Sequence, residues 1–242
     1  MRGCLIVHGL TETPACVSSL KDRLAASGYK VATPCLAGHG GTIDDLKQST
    51  WRQWYETVRI AYDELRKSAE KIYYVGNSLG SLLGLKLALD EGWGIRALAL
   101  LGTPLVLTRI SALSVPLVRY TPIRYAFRFK SKNFNKSVHD PEGRCIYRTC
   151  THKHIPTSSV FELVDLQNIL LKNLNKISNP MLLLHALADH IAPVRNIEII
   201  KNNVSSQAVE TIVFKNSGHV IPLDYERIAA ADRIVEFFGR FA

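Results

Sequence analysis

Ile72-Tyr73-Tyr74-Val75-Gly76-Asn77-Ser78-Leu79-Gly80 is the stretch on which the fold turns: an apolar run, a Gly-x-Ser-x-Gly turn, then a leucine-rich segment to Leu89. It reads as strand, tight turn and helix. Small residues two before and two after Ser78 are needed where the backbone reverses too sharply for side chains, and the serine is held at the apex beyond the sheet edge. The helix starts at that serine, so its unpaired N–H groups and its dipole favour negative charge beside the hydroxyl. This is the pattern of a nucleophile elbow. The same five residues would also suit an N-cap serine in an ordinary glycine-rich turn, so a base and an acid must come from elsewhere in the chain.

Outward from this turn the alternation of strand and helix is regular. Cys4–Val7 is an apolar strand ending in His8-Gly9-Leu10-Thr11. Thr13-Pro14 opens a helix with Val17, Leu20 and Leu24 on one face, and Gly28 stops it. Residues 29–34 form the next strand. The glycine-rich loop 36–41 leads to Thr50-Trp51-Arg52-Gln53, a capping box, with Trp54, Val58, Ala61 and Leu65 at helical spacing behind it. Beyond the elbow helix, 95–101 is a strand closing at Gly102-Thr103-Pro104. The rhythm resumes with a strand over 181–185, a helix over 194–203, a strand over 210–214 and a final amphipathic helix carrying Ile228, Ala231, Val235 and Phe238. Strands separated by helices imply an α/β fold with a mostly parallel sheet covered on both faces, whose functional groups collect beyond the strands' C-terminal ends. Ser78, Asp189 and His219 each follow such an end.

Between about 105 and 175 the alternation breaks. This stretch holds four prolines, an apolar helical segment over 160–174 and most of the chain's excess charge, and it reads as an inserted cap in a single domain spanning 1–242. The whole chain has a formal charge of +9. Between Arg109 and Lys153 lie ten Lys or Arg residues against Asp140 and Glu142. A solvated face needs no partner; the neighbouring Tyr120, Tyr125, Phe127 and Phe129 also suit peripheral contact with an anionic lipid surface or an acidic substrate. No nucleic-acid-binding motif accompanies the charge. Apolar residues of the insertion, among them Val115, Leu117, Val118, Phe127, Phe129, Phe161, Leu163, Leu166, Ile169 and Leu170, either line an acyl pocket or pack the cap on the core.

Hydrophobic residues at 47% of 242 fit a globular chain, and no apolar run is long enough to span a membrane. The N-terminus enters a strand directly, leaving no room for a signal peptide, so a cytoplasmic location is expected. Cys4, Cys16, Cys35, Cys145 and Cys150 are odd in number and irregularly spaced, which suggests reduced thiols and no zinc site. His152 and His154 read as exposed loop histidines.

With its motifs in order, His8-Gly9-Leu10-Thr11, Gly38-His39-Gly40, Gly76-Asn77-Ser78-Leu79-Gly80, Ala188-Asp189-His190-Ile191-Ala192-Pro193 and Ser217-Gly218-His219, the chain resembles the α/β-hydrolase superfamily. Within it the chain is similar to small bacterial carboxylesterases and monoacylglycerol lipases. The resemblance covers roughly 3–104 and 178–241; the cap matches nothing recognisable, and the short His-Gly-Leu turn lacks the longer glycine-rich loop of many lipases. It implies a serine carboxylic-ester hydrolase with Ser78 as nucleophile, His219 as base and Asp189 as orienting acid, with Asp224 and Asp165 as competing acids. It also implies an oxyanion hole from the backbone N–H groups of Leu10 and Leu79, and no cofactor or metal. His8 and His39 are expected to be structural. The expected substrate is an acyl ester, monoacylglycerol or another lipid-like ester. Thioesters and lysophospholipids are alternatives, and a ligand-binding protein on a hydrolase scaffold is the alternative from another class. Serine at the elbow argues against the dehalogenase and epoxide-hydrolase branches, which use aspartate there.

Overall fold

The structure, a computed structural model, describes residues 1–242, the side chain of Ala112 excepted. In chain order the elements are β1 (Arg2–Val7), α1 (Ser18–Ala26), β2 (Tyr29–Ala32), α2 (Ile43–Gln48), α3 (Trp51–Arg66), β3 (Lys71–Asn77), α4 (Leu79–Glu91) and β4 (Ile95–Leu101). The insertion contributes α5 (Arg109–Tyr120), β5 (Phe129–Ser131), α6 (Phe134–Ser137), α7 (Pro141–Thr149), β6 (His154–Pro156) and α8 (Thr157–Leu171). The chain closes with β7 (Met181–Ala186), α9 (Asn196–Asn203), β8 (Val209–Phe214) and α10 (Arg227–Gly239).

Six strands pair in the order β2-β1-β3-β4-β7-β8, every pair parallel. Their apolar residues alternate between two cores. Leu5, Val7, Ile72, Tyr74, Leu98, Leu100 and Leu183 face the side packed by α3, α4, α8 and α9. Cys4, Ile6, Tyr73, Val75, Ala97, Ala99, Leu182 and Leu184 face the side packed by α1 and α10. Burial on both faces is why these strands read as unbroken apolar runs. The capping box of α3 forms as expected, Thr50 and Gln53 each accepting from the other's backbone N–H.

The structure adds three things to the sequence reading. A short helix, α2, precedes α3 and starts with its own Thr42–Asp45 capping box. In the insertion, β5 and β6 make a separate antiparallel pair. And the cysteines are not all reduced thiols: Cys16 and Cys150 form a disulfide, while Cys4, Cys35 and Cys145 are free. The two partners are 134 residues apart and meet only where the insertion folds back over the turn after β1, so their spacing carried no sign of pairing.

The apolar residues of the insertion differ in burial. Leu163, Leu166 and Leu170 of α8 belong to the main core, with Ile169 packed against it, whereas Leu117, Phe127 and Phe129 are exposed. No helix is long and apolar enough to cross a membrane, and no group of metal-binding side chains occurs among the described residues.

Candidate active site

Ser78 sits between β3 and α4 with φ 52° and ψ −114°, one of two non-glycine residues with positive φ among the described residues. The reversal works because its neighbours are bare. A Cβ on Gly76 would stand 2.5 Å from the Gly80 backbone, and one on Gly80 would stand 2.2 Å from the Val7 carbonyl oxygen. Three bonds hold the turn from outside it. The Ser78 N–H donates to the Leu101 carbonyl (2.8 Å), the Ser81 hydroxyl to the Gly76 carbonyl (2.7 Å), and the buried Tyr74 hydroxyl to the Gly80 carbonyl (2.7 Å).

The ends of β3, β7 and β8 bring Ser78, Asp189 and His219 into one hydrogen-bonded series. Ser78 Oγ lies 2.8 Å from His219 Nε2, and His219 Nδ1 lies 2.6 Å from Asp189 Oδ2. The other carboxylate oxygen of Asp189 accepts from the N–H groups of Ile191 and Ala192, each at 2.8 Å. Burial works against the Asp189 charge, yet the imidazole of His219, that of His185 and the Ala192 N–H together hold its pKa below the ordinary value. For His219 the signs reverse. Burial disfavours its charged form, but the charge and hydrogen bond of Asp189, with a smaller contribution from Glu12, lift its pKa above the ordinary histidine value against the opposing Lys132. Such a series can take a proton from the serine hydroxyl onto Nε2 and stabilise the resulting imidazolium.

The two competing acids are committed elsewhere. Asp224 accepts from the backbone N–H groups of Gly218, His139 and Asp140, and Asp165 makes a two-point pair with Arg119 at 2.7 and 2.8 Å. Leu10 lies in the turn after β1, and Leu79 is the first residue of α4. Neither backbone N–H donates to a protein acceptor among the described residues. His8 and His39 hold the intervening loops. The Nδ1–H of His8 donates to the Gly9 carbonyl and its Nε2 accepts from the Leu36 N–H, while the Nδ1–H of His39 donates to the Ala37 carbonyl. His152 is less exposed than expected, its N–H donating to the Thr11 carbonyl; His154 is exposed, on β6. Ser78 and His219 are covered, being 7% and 3% exposed. A cleft of about 350 Å³ is lined by Ile43 of α2 and by Phe129, His152, Lys153 and His154 of the insertion, none of them a member of the Ser78–His219–Asp189 series.

The family model described as Hydrolase_4, serine aminopeptidase S33, matches residues 2–226. The chain belongs to this family. This serine hydrolase is 28% identical to the thermostable monoacylglycerol lipase of Bacillus sp. (strain H-257), over 99% of its own length and 91% of that protein's. It is 24% identical to a carboxylesterase of Bacillus subtilis (strain 168), over 99% and 93% of the two chains. Among solved structures, one reported for the metagenome-derived lipolytic enzymes LipS and LipT superposes with a TM-score of 0.87 at 23% identity, over 99% and 94% of the two chains. That likeness shows the α/β-hydrolase fold.

Three polar residues of the hydrolase were not singled out from its sequence: Glu12, the Asn77 side chain and Lys132. Asn77 is the chain neighbour of Ser78, Glu12 reaches it because β1 pairs with β3, and Lys132 comes from the insertion.

Burial lowers the pKa of His8 to about 4 and of His39 to about 3, with His8 itself adding to the effect on His39. Both therefore stay neutral in the folded enzyme, while the unfolded chain binds protons near the ordinary value of 6.5. Below that value the unfolded state holds more protons, so stability falls as the solution is acidified. The urea unfolding midpoint is expected to drop from pH 7 to pH 5, and to drop less in His39→Gln. His219 acts with the opposite sign in both proteins, so equal pH dependence in the two would contradict a neutral buried His39.

Proposed function

We propose that the enzyme is a carboxylic-ester hydrolase working through an acyl-enzyme on Ser78. The observation that carries this reading is the unbroken series from Asp189 through His219 to a serine held at the N-terminus of α4. His219 Nε2 takes the Ser78 proton as Oγ attacks the ester carbonyl. The oxyanion that forms is met by the N–H groups of Leu10 and Leu79. Collapse of the tetrahedral species breaks the bond to the alcohol, which leaves with the proton from His219; water then repeats the sequence and frees the acid. Asp189 fixes the imidazole tautomer throughout. No cofactor enters these steps.

The similarity to a monoacylglycerol lipase and a carboxylesterase supports monoacylglycerols or other lipid-like esters as substrates, with residues 105–175 as the cap that selects them. The test is hydrolysis of p-nitrophenyl esters from acetate to palmitate beside a monoacylglycerol, an acyl thioester, a lysophospholipid and an amino-acid anilide. Folded Ser78→Ala is expected to lose turnover on the order of 10⁴-fold or more. Retained activity in that variant would overturn the nucleophile, and preference for the anilide would overturn the substrate class. Binding of a lipid without turnover by folded wild type would favour a ligand-binding protein instead.

The proposal extends to a lipid surface. α5 exposes Ile110, Leu113, Leu117 and Tyr120, and the following loop exposes Tyr125 and Phe127, with Arg109, Arg124, Arg128 and Lys130 exposed among them. Apolar side chains flanked by cations suit adsorption to anionic headgroups. Co-sedimentation with vesicles is expected to rise with phosphatidylglycerol content and to fall with salt; indifference to both removes this part.

A cytoplasmic location is also proposed, on the free exposed thiols of Cys35 and Cys145. In that reducing compartment the Cys16–Cys150 disulfide of the structure is expected to open. Alkylation of an acid-quenched lysate of the source cells is expected to label every cysteine; protection of Cys16 and Cys150 would place the chain in an oxidising compartment.

A further inference from the structure

The turn after β1 contains a buried acid that the triad does not use. Glu12 is 2% exposed, and burying a carboxylate is costly unless strong donors meet it. Here two donors converge on one atom. Glu12 Oε2 accepts from the Gly9 N–H at 2.8 Å and from Asn77 Nδ2 at 3.1 Å. The first donor belongs to the residue before Leu10, and the second to the residue before Ser78. A single oxygen thus ties the turn after β1 to the elbow, next to the two segments that supply the free N–H groups and the hydroxyl.

The surroundings are built to keep this arrangement. The Glu12 N–H donates to the Gly9 carbonyl at 3.2 Å, closing the turn on itself. A Cβ on Gly9 would stand 2.8–3.0 Å from the Glu12 carboxylate, so the space of that missing side chain is where the acid sits. Asn77 turns its amide so that Nδ2 reaches Glu12, leaving its buried Oδ1 without a partner among the described residues. From the insertion, Thr151 pairs with Glu12 in an isolated antiparallel bridge, with Thr13 N–H donating to the Cys150 carbonyl and His152 N–H to the Thr11 carbonyl. Lys132, held by the Tyr147 hydroxyl at 2.9 Å and by Thr151 Oγ1 at 2.5 Å, supplies the nearby opposite charge. Burial lowers the Lys132 pKa to about 8, with Glu12 opposing that fall.

We propose that Glu12 is a positioning residue for the acyl-transfer step, bracing Gly9-Leu10 against Asn77-Ser78 so that the oxyanion donors and the nucleophile keep their mutual placement. This rests on the assignment of Ser78 as nucleophile. Glu12 touches neither substrate nor reacting atoms; it acts through the two peptide segments it joins. Such bracing matters more as the tetrahedral species forms than in substrate binding, because a misplacement of about 1 Å at reacting groups can cost about 100-fold in rate. Lys132 keeps the carboxylate from opposing the developing oxyanion by its own charge.

The test is steady-state hydrolysis of p-nitrophenyl butyrate by full-length wild type, Glu12→Ala, Glu12→Gln, Asn77→Ala and Ser78→Ala, beside the rate of phosphonylation by a fluorophosphonate. The phosphonyl oxygen needs the same two N–H groups. Glu12→Ala is expected to lower kcat and the phosphonylation rate roughly 10- to 100-fold, with KM within about threefold of wild type. Glu12→Gln is expected to recover most of that loss, because its Oε1 can accept both hydrogen bonds. A folded Glu12→Ala with wild-type rates overturns the proposal. So does a change confined to KM, which would make Glu12 a substrate contact, or a glutamine variant no better than alanine. If Glu12→Ala does not fold, Asn77→Ala cuts the tie from the elbow side: rates lowered severalfold at unchanged KM support the proposal, and wild-type rates overturn it. Ser78→Ala separates the two readings. Wild-type activity there removes the nucleophile assignment, whereas an inactive Ser78→Ala beside a fully active Glu12→Ala removes only the role of Glu12.

Discussion

The C-terminal edge of the sheet is arranged around the positive φ of Ser78. An L-residue in this region carries strain on the order of 1–3 kcal/mol, which persists only where the surroundings over-determine it. Here they do so through contacts on every side. Gly80 lets α4 press against the Val7 carbonyl of β1, Gly76 clears the Gly80 backbone, and bonds from Tyr74, Ser81 and the Ser78 N–H hold the turn to β3, α4 and β4. The consequence is chemical. The serine hydroxyl is directed off the sheet toward His219, and the first N–H of α4 is left free beside it.

Around that hydroxyl the buried charges are matched. Asp189 has its charge spread over an imidazole and two backbone N–H groups. Its partner His219 is correspondingly easier to protonate than an ordinary histidine, as the proposed base needs to be once it has taken the serine proton. His8 and His39, buried close by without a carboxylate, stay neutral and serve as loop fasteners. Glu12 and Lys132 bring one charge of each sign from the two sides of the junction between core and insertion.

The insertion belongs partly to the core and partly to the surface. α8 is core: its leucines complete the packing on α4, its Glu162 carboxylate accepts from the Trp51 N–H at the start of α3 at 3.0 Å, and its Gln167 amide bonds to the Pro104 carbonyl. α5 and the loop after it have no such neighbours for Ile110, Leu113 or Tyr125. Part of the positive charge is consumed internally, as in the Arg119–Asp165 pair; Arg109, Arg124, Arg128 and Lys130 lie exposed among the exposed apolar residues. The same segment therefore packs one element into the core and offers a face to the surroundings with another.

Sequence alone determined the α/β framework, because strands buried on both faces must be continuous apolar runs and helices packed on a sheet must show apolar spacing. It also pointed to Ser78, Asp189 and His219, since each follows a strand in a short motif whose glycines or proline restrict the backbone. These are local constraints. The Cys16–Cys150 bridge, the β5–β6 pair, the commitment of Asp224 and Asp165 to other partners, and the meeting of Glu12 with Asn77 and Lys132 were decided only in three dimensions. Glu12 and Asn77 are 65 residues apart, and Cys16 and Cys150 are 134 apart. No periodicity or spacing records such pairs, because they depend on how β1 and β3 lie side by side and on where an irregular insertion returns to the sheet, which is settled by packing over the whole chain.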